Sequence, residues 1–374
     1  MYSIDIEERR FHFKQPAGTS RGVYTTRTSW FVTITDGERQ GVGECAPLPD
    51  LSCDAMPDYG EKLRAKGEDF LAACEQGEDA VETFFETLRD YPSMLFGFET
   101  AHQSLLKSPL DFPSLATSGT QETSNLKPQI SNLKPQTLFS TPFSRGEQGI
   151  PINGLVWMGS YDGMLRRMEQ KLEQGFRCVK LKVGAIDFDQ ELDLVKRIRE
   201  RFSHREVELR LDANGGFSPD EALYRLELLS QYAIHSIEQP IKQKQWALMA
   251  ELCRDAPLPI ALDEEMIGVN DPDQKRQMLR IIKPAYIVLK PSLHGGMRGC
   301  REWISIARDE GIGSWITSAL ESNVGLNAIA QFCSAVYGDH ITMPQGLGTG
   351  QLFTDNIPVP LEIRGDRLWI ATQP

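Results

Sequence analysis

The sequence predicts an α/β fold: a modified TIM barrel, (β/α)7β, with an α+β capping domain built from both chain ends. Two observations lead to this prediction. From about Gly149 onward, short apolar strands alternate with amphipathic helices at regular intervals, which is typical of repeated βα units. Near both ends of the chain, apolar and polar residues alternate with period two, as they do in antiparallel sheets. The chain has 374 residues, which is enough for one barrel and a smaller domain.

The capping domain is predicted to begin with residues 1–110. A strand that starts at about Ser29 leads to a turn at Asp36-Gly37 and to a second strand through Val42. Helical periodicity follows this hairpin, so the first part of the capping domain combines a sheet with helices.

Residues 111–149 are predicted to form a flexible insertion. This stretch is rich in Ser, Thr, Pro and Gln, and it repeats the hexapeptide SNLKPQ at 124–129 and 131–136. The last stretch, residues 351–374, alternates again around a Gly-Asp turn, and we expect it to rejoin the N-terminal sheet. The two chain ends then form one domain over the mouth of the barrel.

The barrel is predicted to span residues 150–350. Polar residues end successive apolar strands at spacings of 30, 26, 25, 27 and 28 residues, close to the length of one βα unit. These strand-end residues are Lys182, Asp212, Glu238, Asp263, Lys290 and Ser318. Seven such units and a last short strand near 341–343 favour a closed barrel over an open sheet. In such barrels the chemistry lies at the C-terminal ends of the strands, so these residues are the first candidates for a functional site.

Three of the strand-end residues are acidic, namely Asp212, Glu238 and Asp263. Neighbouring strands lie about 4.8 Å apart, so we expect the three carboxylates to converge on one divalent cation. Oxygen ligands without histidine or cysteine favour Mg²⁺, with Mn²⁺ as a substitute, over zinc. The alternative is that an acid only caps the helix after its strand, which Asp212 and Asp263 could do.

Lysines lie on both sides of these acids. Lys180 and Lys182 are two residues apart on one strand, so both face the barrel interior, and Lys290 ends a strand across the barrel. Repulsion between the paired lysines and partial burial lower the proton affinity of an amine, which suits it as a general base. The alternative is that these lysines only extend into solvent. A cation between two amines predicts removal of the proton next to a metal-bound carboxylate.

Composition argues against nucleic acid and membranes as partners. A formal net charge of −12 and an isoelectric point of about 5.1 disfavour binding to nucleic acid. No apolar run reaches the roughly 18 residues that a membrane-spanning helix needs, and the first residues lack the apolar stretch of a secretory signal. The sequence therefore predicts a cytoplasmic protein whose partner is a small-molecule carboxylate, and it leaves the oligomeric state open.

The segments KLKV, LDANGG, IEQP, LDEE and LKPS, in this order, resemble the muconate-lactonizing branch of the enolase superfamily, over most of the chain. The resemblance implies that Asp212, Glu238 and Asp263 are metal ligands, that Lys182 is the base, and that Lys290 is the opposite lysine. The segments GECAPLP and SALESNVGL are most similar to members that act in menaquinone synthesis.

For those members the implied reaction is a syn β-elimination of water from 2-succinyl-6-hydroxy-2,4-cyclohexadiene-1-carboxylate, which gives o-succinylbenzoate through a metal-stabilised enediolate. By the same resemblance, Asn214 lines the site, Ser318 and Gly346 contact the succinyl tail, and Arg21 closes over the substrate from the capping domain. The stretch 108–149 has no recognised counterpart in the family, and the extra acid Glu265, beside Glu264, crowds the site.

Two other functions share these residues. Racemases and epimerases of the superfamily use opposed lysines to remove and return a proton, so N-acylamino acid racemisation and dipeptide epimerisation are alternatives. The resemblance implies an Asp-x-Asp pair in dipeptide epimerases, where this chain has Gly348 and Gly350, which argues against a substrate with an ammonium group. A non-catalytic metal-binding barrel is disfavoured because no ligand or lysine of the set is missing.

Overall fold

The computed structural model describes residues 2–19, 22–107 and 136–371. Most of the predicted insertion at 111–149 lies outside these ranges, and the domain boundaries stay predictions. Within the described part, no helix is both long enough and apolar enough to cross a membrane. The predicted cytoplasmic location stays a prediction.

The N-terminal part of the chain forms a three-stranded antiparallel sheet with helices packed on it. Its strands, in the order β1-β2-β3, are β1 (Ser3–Thr19), β2 (Gly22–Thr35) and β3 (Gln40–Cys45). The helices are α1 (Tyr59–Gln76), α2 (Glu78–Thr87) and α3 (Pro92–Lys107). The predicted hairpin is confirmed, because β2 and β3 pair around Asp36, whose carboxylate accepts hydrogen bonds from the N–H groups of Glu38 and Arg39.

Helix α3 lies very close to strand β3. A Cβ atom added to Gly43 would lie 1.8 Å from the carbonyl oxygen of Gly97, and one added to Gly97 would lie 2.1 Å from Sγ of Cys45. Both positions therefore require glycine, since any side chain would force the helix away from the sheet. This contact fixes the orientation of α3, which also touches the barrel.

The barrel begins after β4 (Ile150–Pro151) and consists of seven parallel strands in sequence order. The strands are β5 (Gly154–Val156), β6 (Cys178–Lys182), β7 (Glu208–Asp212), β8 (Ser236–Glu238), β9 (Ile260–Leu262), β10 (Tyr286–Leu289) and β11 (Gly313–Ile316). The helices between and after them are α4 (Tyr161–Glu173), α5 (Phe188–Arg201), α6 (Pro219–Ser230), α7 (Trp246–Asp255), α8 (Pro272–Ile282), α9 (Gly296–Asp309) and α10 (Asn323–Tyr337). The predicted βα repeat is confirmed.

The barrel closes through two residues rather than a full eighth strand. Gln345 makes a parallel bridge to Ile152, and Gly346 makes one to Thr317. The prediction of a last strand near 341–343 is wrong, because the closing contacts lie further along the chain. Pro344 has no N–H to donate, so the β-bridges at Gln345 and Gly346 cannot continue toward residues 341–343.

The C-terminal stretch divides between two partners. Phe353 bridges to Phe13 of β1 and packs in a small apolar cluster with it, so this segment returns to the capping sheet. The hairpin of β12 (Leu361–Arg364) and β13 (Arg367–Ile370) instead pairs with β4, the short strand that precedes the first barrel strand. The prediction that the last stretch, 351–374, rejoins the N-terminal sheet is therefore wrong for the hairpin, and Phe353 is the part of that stretch which does return to the sheet. Leu368 of β13 is buried in the barrel core, and this burial favours pairing of the hairpin with β4 rather than with the N-terminal sheet.

The described end of the predicted insertion packs against the barrel. Leu138 and Phe143 are buried in the barrel core, and the side chain of Gln331 on α10 accepts a hydrogen bond of 2.7 Å from the N–H of Leu138. Its amide also donates to the carbonyl oxygen of Gln136 at 2.7 Å. The described part of the predicted insertion therefore contacts the barrel.

Two buried glutamates of the capping domain bind the N-termini of successive barrel helices. Glu99 of α3 accepts hydrogen bonds from the N–H groups of Met297 and Arg298 at 2.6 and 3.1 Å, at the start of α9. Glu44 of β3 accepts from the N–H of Gly325 at 2.8 Å, at the start of α10. Each carboxylate satisfies donors that a helix leaves free at its N-terminus and interacts favourably with the helix dipole.

Replacing Glu99 with glutamine is expected to flatten the pH dependence of stability. Burial raises the pKa of Glu99 to about 7, so the folded state binds this proton more tightly than the unfolded chain does. The resulting stability is complete below the unfolded pKa of about 4.3 and is lost as pH rises through about 7. Between pH 5 and pH 8 the free energy of unfolding of the unsubstituted protein should therefore fall by on the order of 1–3 kcal/mol more than that of Glu99→Gln.

Urea unfolding at the two pH values measures this difference. The matched control is Glu61→Gln, which changes an exposed glutamate of α1 and should keep the original pH dependence. If the free energy of unfolding changed equally with pH in Glu99→Gln and in the unsubstituted protein, the raised pKa would not belong to Glu99.

Candidate active site

The strand-end residues of the barrel lie side by side at its C-terminal mouth. In the strand register Lys182 is opposite Asp212, and Asp212 is opposite Glu238. Asp263 follows β9 directly, and Lys290 follows β10. The three acids are at most 1% exposed, so their charges are shielded from water and interact strongly.

Each acid contacts a lysine amine. Nζ of Lys180 lies 2.9 Å from Oδ2 of Asp212 and 2.8 Å from Oε2 of Glu238. Nζ of Lys182 lies 2.8 Å from the same oxygen of Asp212. Nζ of Lys290 donates to Oδ2 of Asp263. The lysines of β6 and the lysine after β10 thus approach the acids from two sides.

The three lysines differ in proton affinity. Burial lowers the pKa of Lys182, and the positive charge of Lys180 adds to this effect although Asp212 opposes it. Burial also disfavours the charged form of Lys180, but Asp212 and Glu238 outweigh it and raise the pKa. For Lys290 burial is outweighed mainly by Asp263, which raises the pKa. The predicted lowering of the amine pKa therefore holds for Lys182 and not for Lys180, because only Lys180 lies between two carboxylates.

The acids are perturbed in opposite directions. Burial raises the pKa of Glu238 to about 7, and the neighbouring charges of Asp212 and Asp263 contribute to the increase although Lys180 opposes it. For Asp212 burial is outweighed by Lys180 and Lys182, which hold the pKa well below its ordinary value. The pKa values of Glu238 and Asp212 differ because, among the described residues, two lysine amines contact Asp212 and only one contacts Glu238.

The donor set fits a hard divalent cation. Oε1 of Glu238 and Oδ1 of Asp263 are buried and have no hydrogen-bond partner among the described residues. A buried charged oxygen without a partner is costly, and a cation would satisfy it. Across the described ranges, no three His, Cys, Asp or Glu side chains are gathered as a ready-made metal site, and lysine amines lie among the three acids instead.

Asn214 completes the inner part of the site. Its Oδ1 accepts a hydrogen bond from Nζ of Lys182 at 2.5 Å, and its Nδ2 donates to Oε1 of Glu264 at 2.8 Å. Its backbone has φ = 45°, in the left-handed region that asparagine tolerates better than most residues. Glu265 turns away from the site, because its carboxylate accepts from Gln239 and from the N–H of Lys244. The predicted crowding by Glu265 is therefore wrong.

Ser318 and Gly346 border a cavity above the lysines. The hydroxyl groups of Ser318 and Thr349 lie 2.5 Å apart, and the N–H of Ser318 donates to the carbonyl oxygen of Gly346. A Cβ on Gly346 would lie 2.1 Å from Oγ1 of Thr317, so this glycine is needed for barrel closure as well. Arg21, predicted to close over the substrate, lies outside the described residues.

The same cavity has apolar walls for which no role was predicted. Leu48 and Leu51 of the capping domain line it, together with Trp157 and Leu320 of the barrel. The ring centre of Trp157 is 5.9 Å from Nζ of Lys182. Trp157 follows β5, so the strand-end rule that singled out the charged residues would also have found it. The leucines come from loops, for which strand spacing gives no signal.

Comparison with known proteins defines the class. The family profile described as "Enolase C-terminal domain-like" matches residues 163–374. With its capped barrel and its strand-end acids and lysines, the chain belongs to the enolase superfamily. A second profile, "MenC, N-terminal domain", matches residues 19–105. The o-succinylbenzoate synthase of Desulfotalea psychrophila is 45% identical in an alignment that covers 99% of this chain and 100% of that protein. Within the superfamily, the chain is a member of the o-succinylbenzoate synthases.

Solved structures agree with the fold. The crystal structure of MenC from Desulfotalea psychrophila matches with a TM-score of 0.78 and 39% identity, over 99% of both chains. A dipeptide epimerase from Enterococcus faecalis, complexed with Mg and the dipeptide L-Leu-L-Tyr, matches with a TM-score of 0.77 over 98% of this chain and 96% of its own. At 19% identity this second match shows a shared fold only.

Proposed function

We propose that the protein is a metal-dependent o-succinylbenzoate synthase, a lyase of menaquinone synthesis. It removes water from 2-succinyl-6-hydroxy-2,4-cyclohexadiene-1-carboxylate and forms o-succinylbenzoate. The observation that carries the mechanism is the position of Lys182 and Lys290, which reach two different acids of one buried carboxylate cluster. Full-length similarity to a synthase supports the choice of substrate.

Lys182 is proposed as the base that removes the proton next to the substrate carboxylate. Its amine is buried and is oriented by Asp212 and Asn214, so it needs no large rearrangement to reach a bound substrate. The same amine then returns the proton to the departing hydroxyl group as the C–O bond breaks, because in a syn elimination both groups leave from one face. Lys290, on the other side, stays protonated and stabilises the negative charge that develops on the substrate carboxylate.

Asp212, Glu238 and Asp263 are proposed to hold Mg²⁺, with Mn²⁺ as a substitute. The bound ion would supply positive charge at the substrate carboxylate and so favour loss of the adjacent proton. The two buried carboxylate oxygens without partners among the described residues support this assignment. The Mg complex of the related dipeptide epimerase is consistent with it. Lys180 is proposed to balance the charge of Asp212 and Glu238, which it contacts directly.

The cavity is proposed to hold the ring carboxylate at its lysine end and the succinyl tail near Ser318 and Gly346. Asn214 would line the site, and Arg21 would close over it from the capping domain. The apolar walls at Leu48 and Leu51 suit the unsaturated ring, since ligand cavities combine apolar walls with a few placed polar groups.

Purified protein with Mg²⁺ and the cyclohexadiene substrate is expected to show the ultraviolet absorbance change of dehydration. The aromatic product absorbs differently from the diene, so conversion can be followed continuously. The same protein without added metal, after treatment with a chelator, should show little conversion. Absence of a Lys182-dependent absorbance change would refute the synthase assignment.

N-acylamino acid racemisation is the second candidate, because lysines approach the acids from two sides and either amine could exchange the proton. Incubation of an N-acylamino acid in D₂O would then incorporate deuterium at the α-carbon. Dipeptide epimerisation is less well supported, since Gly348 and Gly350 provide no carboxylate for a substrate ammonium group. Incorporation of deuterium without dehydration would favour the racemase over the synthase.

A further inference from the structure

Arg27 of β2 is a buried arginine that joins two loops from different domains. It is 2% exposed, and its guanidinium donates to the carbonyl oxygens of Ala46 at 2.5 Å and of Pro47. On the barrel side it donates to the carbonyl oxygens of Leu320 at 3.3 Å and Ala319 at 3.4 Å. Four backbone carbonyls thus converge on one side chain.

Both of these loops contribute to the wall of the cavity above Lys182. The capping-domain loop continues from Pro47 into Leu48 and Leu51, and the barrel loop contains Ala319 and Leu320. Arg27 itself does not line the cavity, so it acts on the site only through these loops. A change in the separation of the two loops is therefore expected to alter the shape of the cavity.

The barrel loop needs such support. Leu320 has φ = 66°, in the left-handed region that a branched side chain rarely adopts. Strained residues of this kind persist only where their surroundings hold them in place. The hydrogen bond from Nε of Arg27 to the carbonyl oxygen of Leu320 provides part of that restraint, and Glu321 provides another by accepting from the N–H of Ala319 at 2.7 Å.

The geometry depends on a guanidinium rather than on charge alone. The nearest acids, Glu321 and Glu44, balance the charge of Arg27 electrostatically, while the hydrogen bonds described above go to carbonyl oxygens. A planar fork with five donors can reach carbonyls in two directions at once, whereas a lysine amine is a single point of charge. Lysine at this position would keep the charge and lose the bridge.

We propose that Arg27 is a positioning residue that fixes the distance between the capping-domain wall and the barrel wall of the substrate cavity. It thereby sets how tightly the cavity holds the substrate, while the lysines and acids at the strand ends do the chemistry. The inference rests on the proposed function only for the identity of the substrate. The contact between the two loops is a property of the protein whatever it binds.

The test compares Arg27→Lys and Arg27→Met with the unsubstituted protein. We expect KM for the cyclohexadiene substrate to rise about tenfold or more, with kcat changed by less than about threefold, because the proton-transfer groups stay in place. Hydrogen–deuterium exchange should become faster at 46–52 and 317–322, and it should stay unchanged in β7. Arg39→Met is the matched control, because Arg39 pairs with Asp36 at a turn of the same sheet and touches neither loop.

Three results with folded variants would overturn the inference. These are an unchanged KM in Arg27→Lys, a loss of kcat with unchanged KM, and a lower melting temperature with unchanged KM and unchanged exchange. Failure of both variants to fold would also overturn it, since Arg27 would then be a folding residue. If the unsubstituted protein does not dehydrate the substrate, the proposed function fails, and the exchange data still decide the role of Arg27.

Discussion

Replacing Lys182 with alanine is expected to lower kcat for dehydration by about 10⁴-fold, the upper end for general acid–base catalysis. The reason is that one amine is assigned both the removal of the α-proton and its return to the hydroxyl group. Lys180 cannot substitute for it, because Asp212 and Glu238 hold it in its charged form. Steady-state kinetics and single-turnover absorbance measurements at saturating substrate and metal would measure the loss.

Two further variants separate loss of the base from loss of charge. Lys182→Arg keeps a positive group near Asp212 but cannot supply a neutral amine, so it should be almost as inactive as Lys182→Ala. Lys196→Ala changes an exposed lysine of α5 that pairs with Glu200, and it should keep full activity. Retention of more than a tenth of the activity in Lys182→Ala would exclude Lys182 as the base.

Replacing Glu238 with glutamine is expected to raise the metal concentration needed for half-maximal activity at least 100-fold. Loss of a group that only supports a metal ligand typically costs 10–100-fold in affinity, and loss of a ligand should cost no less. Glu238 is fully buried, and its Oε1 has no hydrogen-bond partner in the described part of the chain, as expected of an oxygen that binds a cation. Equilibrium dialysis with Mn²⁺ and activity titrations with Mg²⁺ would measure the change independently.

The control for this experiment is Glu251→Gln, which alters an exposed glutamate of α7. It should titrate with metal as the unsubstituted protein does. Metal should also raise the melting temperature of the unsubstituted protein and much less that of Glu238→Gln, because a ligand stabilises only the state that binds it. Equal metal affinity in both proteins would remove Glu238 from the ligand set.

Much of the site could be predicted because strand ends in a parallel barrel meet at one place. The spacing of Lys182, Asp212 and Glu238 along the chain becomes direct adjacency in the strand register. The two-residue spacing of Lys180 and Lys182 likewise becomes a shared contact with Asp212. In both cases a local repeat determines which side chains meet, so no long-range contact has to be known in advance.

The remaining features depend on contacts between distant parts of the chain. Where the barrel closes, Thr317 lies so near Gly346 that any side chain on Gly346 would collide with it. Nothing near Gly346 in the sequence indicates this contact. Arg27 meets Leu320, 293 residues away, through backbone carbonyls that carry no sequence signature. The outward turn of Glu265 depends on Gln239 in a neighbouring loop. Sequence patterns identify the chemical groups more readily than the loops that enclose them.

The glutamates at the starts of α9 and α10 make the two domains poor candidates for independent exchange. Each helix relies on an acid that another domain supplies, Glu99 for one and Glu44 for the other. A chimaera that took its first hundred residues from a relative would need an acid at both positions, or the N-termini of two helices behind the catalytic loops would each lose a hydrogen-bond acceptor. During divergence of substrate preference, these two positions are therefore expected to change later than the leucines of the cavity wall.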